Sequence, residues 1–234
     1  MDLGAGGLAE AATIGTNSLT EQVKASLCAS FANGARNDDP YRHWIVSNVF
    51  PAGMPDTLFS LPFPTADLHG VSGKRELHND TRLYFDAQNN VRYDECGAVA
   101  DAFQSREVVE AIERHTGADL RRTYVRLEYA QDIDGFWLEP HTDLGVKKFT
   151  MLIYLGNGPD QDDLGTDIYR DHETWAKRPA FTPNTALIFV PGDNTWHGFE
   201  RREIKGVRKS VIMNYVTDDW RAREQLAYPT TPVK

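Results

Sequence analysis

The chain has 234 residues, a formal net charge of −9, 41% hydrophobic residues and only two cysteines. This length is ample for one buried core, while the acidic balance and the lack of a long basic stripe argue against a protein held on duplex nucleic acid by phosphate contacts. Cys28 and Cys96 have neither metal-site spacing nor the density of a disulfide framework, and Met1 to Gly7 lacks the basic and apolar regions of a signal peptide, so a cytoplasmic protein with no membrane span is expected.

Residues 1–17 are small and Gly/Ala-rich and are expected to be loosely ordered, leaving 18–234 as a single domain. Ser18 or Thr20 caps a predicted helix through Val23, Leu27 and Phe31, which the Gly34 to Pro40 stretch ends. Tyr41 to Phe50 is predicted as a first strand, followed by a Pro/Gly-rich loop through Pro64. Arg82 to Phe85 reads as a strand. Asp101 to His115 reads as a helix with an apolar face of Phe103, Val108, Val109 and Ile112, and Gly117 stands just past its end. From Arg122 onward strands dominate: Phe149 to Leu155, Ala186 to Val190 and Val211 to Val216 are apolar runs of strand length. No internal repeat or low-complexity linker requires a second domain.

Among these strands lie His141-Thr142-Asp143, then Trp196-His197-Gly198, then Arg208-Lys209-Ser210. An H-x-D alone is weak, since seven histidines and 21 aspartates in 234 residues would yield about 0.6 by chance. A second example, His78-Asn79-Asp80, stands in a polar stretch without the later partners. Side chains at i and i+2 share a strand face, so His141 and Asp143 can chelate one ion, and His197 can join them if the strands fold back. Two imidazoles and a carboxylate on one face of an octahedral metal leave three positions open, as in non-haem Fe(II) oxygenases, although zinc hydrolases also use His, His and Asp. Parity puts Arg208, Ser210, Ile212 and Asn214 on one face of the last strand. A guanidinium directed into a barrel needs a carboxylate, and a dicarboxylate co-substrate would provide one.

With these motifs the region from about 118 to 220 resembles the catalytic core of the Fe(II)/2-oxoglutarate-dependent oxygenases, in particular the prolyl-hydroxylase-like branch. The resemblance implies a mainly β fold with packed helices around a double-stranded β-helix, or jelly roll. It implies His141, Asp143 and His197 as iron ligands and Arg208 as the anchor of the distal carboxylate of 2-oxoglutarate. Tyr129 resembles a pocket-facing tyrosine on the strand before H-x-D, and Tyr154 is placed to bind the same carboxylate as Arg208; for both, plain packing is the alternative. Ser210 either supports the co-substrate or bonds to backbone. Leu164 to Tyr169 resembles the family's Gly-Gly strand, with Thr166 in place of the second glycine.

The implied reaction consumes O2 and 2-oxoglutarate, releases succinate and carbon dioxide, and hydroxylates a C–H bond; a carboxylate at Asp143 favours hydroxylation over halogenation. A small metabolite, an amino acid or a prolyl peptide all suit the substrate position, with Asn214 and Trp137 as possible contacts. Oligomeric state has no signal in the sequence. Two alternatives stay open: a cupin-like metal enzyme that does not use 2-oxoglutarate, and a non-catalytic jelly-roll binding module.

Overall fold

The computed structural model describes residues 18–65, 73, 82–156, 158 and 160–233. The N-terminal stretch 1–17 and the His78/Asp80 motif lie outside the described residues. The α-helices among the described residues are α1 (Leu19–Ala32), α2 (Met54–Phe59), α3 (Ala87–Arg92), α4 (Asp94–Gln104) and α5 (Arg106–Thr116). Ser18 caps α1 by accepting a hydrogen bond from the Glu21 amide, as expected, and Val23, Leu27 and Phe31 form its buried face. The single helix expected over 101–115 is two helices. Ser105 takes an extended conformation (φ −70°, ψ 141°), and its hydroxyl accepts from the Val108 amide to start α5, so the chain turns there instead of running through. Gly117, at φ 77°, ends α5 in the left-handed conformation.

Among the described residues, eleven strands make two antiparallel sheets. They are β1 (Ala35–Asn37), β2 (His43–Ser47), β3 (Leu83–Tyr84), β4 (Tyr124–Asp132), β5 (Leu138–His141), β6 (Lys147–Tyr154), β7 (Asp167–Tyr169), β8 (Trp175–Lys177), β9 (Thr185–Phe189), β10 (His197–Phe199) and β11 (Arg208–Val216). The larger sheet has the order β1-β2-β9-β6-β11-β4-β3, the smaller β5-β10-β7-β8. The expected jelly-roll core is therefore present, with helices on one side.

Strand alternation explains the layering. On β11, Val211, Met213 and Tyr215 point to the helices and are fully buried; burial of each contributes about 1.5–3 kcal/mol. The Tyr215 hydroxyl donates to the Phe103 carbonyl at 2.6 Å and ties α4 to this face. On β6 and β9 the other parity, Leu152, Tyr154, Leu187 and Phe189, joins Phe136, Ile168, Phe181 and Phe199 in a second core between the sheets. Polar residues share that inner face: Arg126, Glu128 and Asp132 on β4 and Arg208, Ser210 and Asn214 on β11 are all at most 5% exposed. Among the described residues, no helix is long and apolar enough to cross a membrane.

Candidate metal centre and its cavity

His141 ends β5 and His197 begins β10, and the two are directly opposed in the antiparallel register. Gly198 permits this close pairing, because a Cβ there would lie 2.8 Å from the Leu138 carbonyl oxygen. The imidazole centroids are 4.4 Å apart. Each Nδ1 meets a backbone carbonyl at 2.9 Å, Glu139 for His141 and Thr195 for His197. A carbonyl only accepts, so Nδ1 carries the proton and Nε2 keeps the lone pair, as a metal ligand requires. Burial first, and neighbouring His141 second, pushes the His197 pKa down to about 3, which keeps the ring neutral.

Asp143 completes the group: one donor atom from each of His141, Asp143 and His197 lies within 4.8 Å of the others. The strand argument for Asp143 needs correction. Pairing stops at His141, and Asp143 stands in the loop that follows, so i, i+2 strand geometry does not place it. Side-chain contacts hold it instead. Thr150 Oγ1 donates to Asp143 Oδ2 at 2.6 Å, and the buried Lys147 ammonium donates to Oδ1. Behind Thr150 the chain of bonds continues: Asn214 Nδ2 donates to Thr150 Oγ1 at 2.9 Å, and Arg126 Nη1 donates to Asn214 Oδ1 at 3.1 Å. Asn214, considered above as a substrate contact, is fully buried in this relay.

The His141, Asp143 and His197 side chains line one inter-sheet cavity together with Thr150, Leu152, Phe199, Arg82, Asp132 and Arg208. Arg208 faces inward as its parity required. It already has a carboxylate, however: Nη1 bonds Asp132 Oδ2 at 2.6 Å and Nε donates to the Leu164 carbonyl at 2.7 Å. The carboxylate that an inward guanidinium was expected to need is thus supplied within the chain by Asp132, where a dicarboxylate co-substrate had been considered for that place. Tyr154 is also inside, between Phe181 and the Arg208 end of β11, and its hydroxyl accepts from the Thr166 amide at 3.2 Å. Burial raises its pKa and keeps it a phenol. Ser210 is 1% exposed, and its hydroxyl has no hydrogen-bond partner among the described residues.

Tyr129 is a correction. It sits at odd parity on β4, packs on Phe63 and Phe85 and donates to the Leu58 carbonyl at 2.8 Å, so it faces the helical layer and not the cavity. Trp137 lies 37% exposed on the loop before β5, with its ring over Gly73, away from the cavity walls. Thr150, Lys147, Asp132 and Arg82 were not anticipated. Asp132 had a signal, because Arg126, Glu128 and Asp132 recur at even spacing within an otherwise apolar strand. Beyond His141 and Asp143 an outer cleft opens, bounded by Arg126, Glu139, Leu144, Lys147, Trp220 and Gln225.

No protein-family model matches the sequence, and no curated protein matches it. Solved structures match in fold. A prolyl 4-hydroxylase from Phytophthora capsici gives a TM-score of 0.58 at 14% identity, covering 90% of this chain and 69% of that one. A prolyl hydroxylase from Trichoplax adhaerens, in complex with a hypoxia inducible factor oxygen degradation domain peptide fragment, gives 0.51 at 13% identity over 87% and 93%. HygX from Streptomyces hygroscopicus, with nickel, 2-oxoglutarate and hygromycin B bound, gives 0.51 at 13% identity over 76% and 83%. At such identities the shared property is the fold.

Proposed function

We propose that this protein is an Fe(II)- and 2-oxoglutarate-dependent dioxygenase that hydroxylates a C–H bond of a small metabolite, an amino acid or a prolyl peptide, with release of succinate and carbon dioxide. The observation that carries this reading is one cavity lined by two histidines of matched tautomer, a carboxylate and an inward arginine. The fold is that of prolyl hydroxylases and of HygX, whose structure holds nickel and 2-oxoglutarate. The breadth of this range reflects what the neighbours' structures hold, a peptide fragment in one case and hygromycin B in the other.

When bound, iron and 2-oxoglutarate supply oxidative chemistry that protein side chains lack. The chain's own groups do the positioning. His141 and His197 offer Nε2, and Asp143 offers an oxygen while Thr150 fixes the plane of its carboxylate. Three ligands leave the remaining positions open for co-substrates, which suits Fe(II) better than a closed structural zinc site. Arg208 orients the distal carboxylate of the keto acid, and its fork geometry makes that orientation directional. Leu152, Phe189 and Phe199 keep water from the site, and the outer cleft beside His141 and Asp143 is the approach for substrate.

The Asp132–Arg208 ion pair favours a second reading, a metal enzyme that does not use 2-oxoglutarate, since Arg208 is satisfied without it. Two measurements separate the readings. Calorimetry with Fe(II) should show one site per chain in wild type and none in His141→Ala, Asp143→Ala or His197→Ala. Iron-dependent conversion of 2-oxoglutarate to succinate should follow in wild type. Catalysis that persists without 2-oxoglutarate would establish the second reading, and failure to bind metal would leave a binding module.

A further inference from the structure

The inner face of the larger sheet carries a row of buried charges. Arg126 Nη2 meets Glu128 Oε2 at 2.6 Å, and Arg82 Nη1 meets Glu128 Oε1 at 3.3 Å. The same Arg82 Nη1 lies 3.6 Å from Asp132 Oδ1, and Arg208 Nη1 closes the row on Asp132 Oδ2 at 2.6 Å. The signs alternate along five side chains, none more than 9% exposed. Among the described residues the row has three guanidiniums and two carboxylates. Buried charge is costly unless it is paired, so a guanidinium at the cavity wall that loses one carboxylate needs another.

The two ends are not equivalent. Arg126 is committed to Asn214, Gln225 and the Tyr84 hydroxyl, with the Tyr84 and Trp220 rings against its guanidinium. Arg82, Asp132 and Arg208 instead line the cavity that also holds the two histidines and Asp143. Asp132 stands between two cations and favours one. Its contact with Arg208 is a short charge-assisted bond, whereas 3.6 Å to Arg82 is ion-pair distance without a hydrogen bond.

Resting on the co-substrate assignment above, we infer that Asp132 sets the affinity and selectivity for the keto acid: it holds Arg208 as an internal counter-ion and passes to Arg82 when the distal carboxylate of a dicarboxylate engages Arg208. Arg82 and Arg208 then each have a carboxylate of their own. A monocarboxylate keto acid brings no anion to this end of the cavity and leaves Asp132 on Arg208, so the exchange selects for a second carboxylate. The internal competition lowers affinity, because the acid must displace Asp132 before it gains Arg208.

The test is anaerobic calorimetry of Mn(II)-loaded protein with 2-oxoglutarate and, as the monocarboxylate control, pyruvate. Asp132→Asn removes the competitor at constant shape and should bind 2-oxoglutarate tighter by on the order of tenfold, with no matching gain for pyruvate. Arg82→Gln takes away the alternative partner, confines Asp132 to Arg208 and should weaken binding by a similar factor; if Asp132→Asn does not fold, this variant decides. Wild-type binding with no gain in Asp132→Asn, or no loss in Arg82→Gln, overturns the inference and leaves the co-substrate assignment standing. Binding to Asp132→Asn alone supports the inference. Binding to neither wild type nor Asp132→Asn overturns both.

Discussion

Replacement of Thr150 by valine isolates the hydrogen bond that orients Asp143. Valine keeps the shape of threonine and deletes the hydroxyl. That hydroxyl, on a residue 1% exposed, donates to Asp143 Oδ2 at 2.6 Å and accepts from Asn214 Nδ2 at 2.9 Å. A hydrogen bond to a charged group contributes about 1.5–3 kcal/mol, and the Asn214 amide would be left with only a long 3.5 Å contact to the Phe149 carbonyl, adding about 1 kcal/mol. Thr150→Val should therefore lose about 2–4 kcal/mol of stability. Metal affinity should fall about 10–100-fold, because Asp143 would retain Lys147 on Oδ1 and could rotate toward it. Urea denaturation and Co(II) calorimetry give the two numbers, and Thr150→Ser should recover most of the metal affinity. A stability loss of the expected size with metal affinity within about twofold of wild type would refute the orienting role and leave Thr150 a packing residue.

Other expectations follow from single contacts. Tyr129→Phe should cost about 1 kcal/mol in urea denaturation, from the lost bond to the Leu58 carbonyl, and leave metal and 2-oxoglutarate affinity unchanged; altered 2-oxoglutarate affinity would return Tyr129 to the cavity. Asp167 is fully buried and accepts from Trp175 Nε1, Arg178 Nε, the Glu200 amide and Arg202 Nη1, joining β7 to β8 and to the chain beyond β10. Asp167→Ala should destabilise by about 3–5 kcal/mol in the same assay, and a loss under about 1 kcal/mol would show that the two arginines find other partners. Cys96 is fully buried, and desolvation pushes its thiol up to about 12. Iodoacetamide at mildly alkaline pH should spare Cys96 in the native protein and modify it after unfolding, as read by mass spectrometry; native modification would mean that α4 opens readily.

The long strands were legible because both of their faces are buried, one under the helices and the other between the sheets. β6, β9 and β11 each show an apolar run, and the parity that directed Arg208, Ser210 and Asn214 inward is the parity observed. The short strands were not. β5, β7, β8 and β10 have three or four residues each, too few for a period to show, although β10 and β5 carry the histidine pair. His141 and His197 were found through chemistry and spacing, whereas the position of Asp143 in a loop depends on Thr150 and Lys147, which no local pattern connects to it. Tyr129 failed on parity. It neighbours Glu128 and Ala130, and the same alternation that placed Arg208 would have turned it toward the helices had β4 been registered against β11, where it pairs with Val211. Ser105 splits a helix that apolar periodicity alone runs together, since serine at an N-cap and serine in mid-helix look alike in a helical pattern.

The most direct test of the central claim is an anaerobic titration of metal-depleted protein with Fe(II) and then 2-oxoglutarate, followed by visible absorption. A chelate of iron and keto acid held by His141, Asp143 and His197 has a weak metal-to-ligand charge-transfer band, which should appear in wild type after both additions and be absent in His141→Ala. Bound iron with no band on addition of 2-oxoglutarate would contradict the account and leave Arg208 as the structural partner of Asp132.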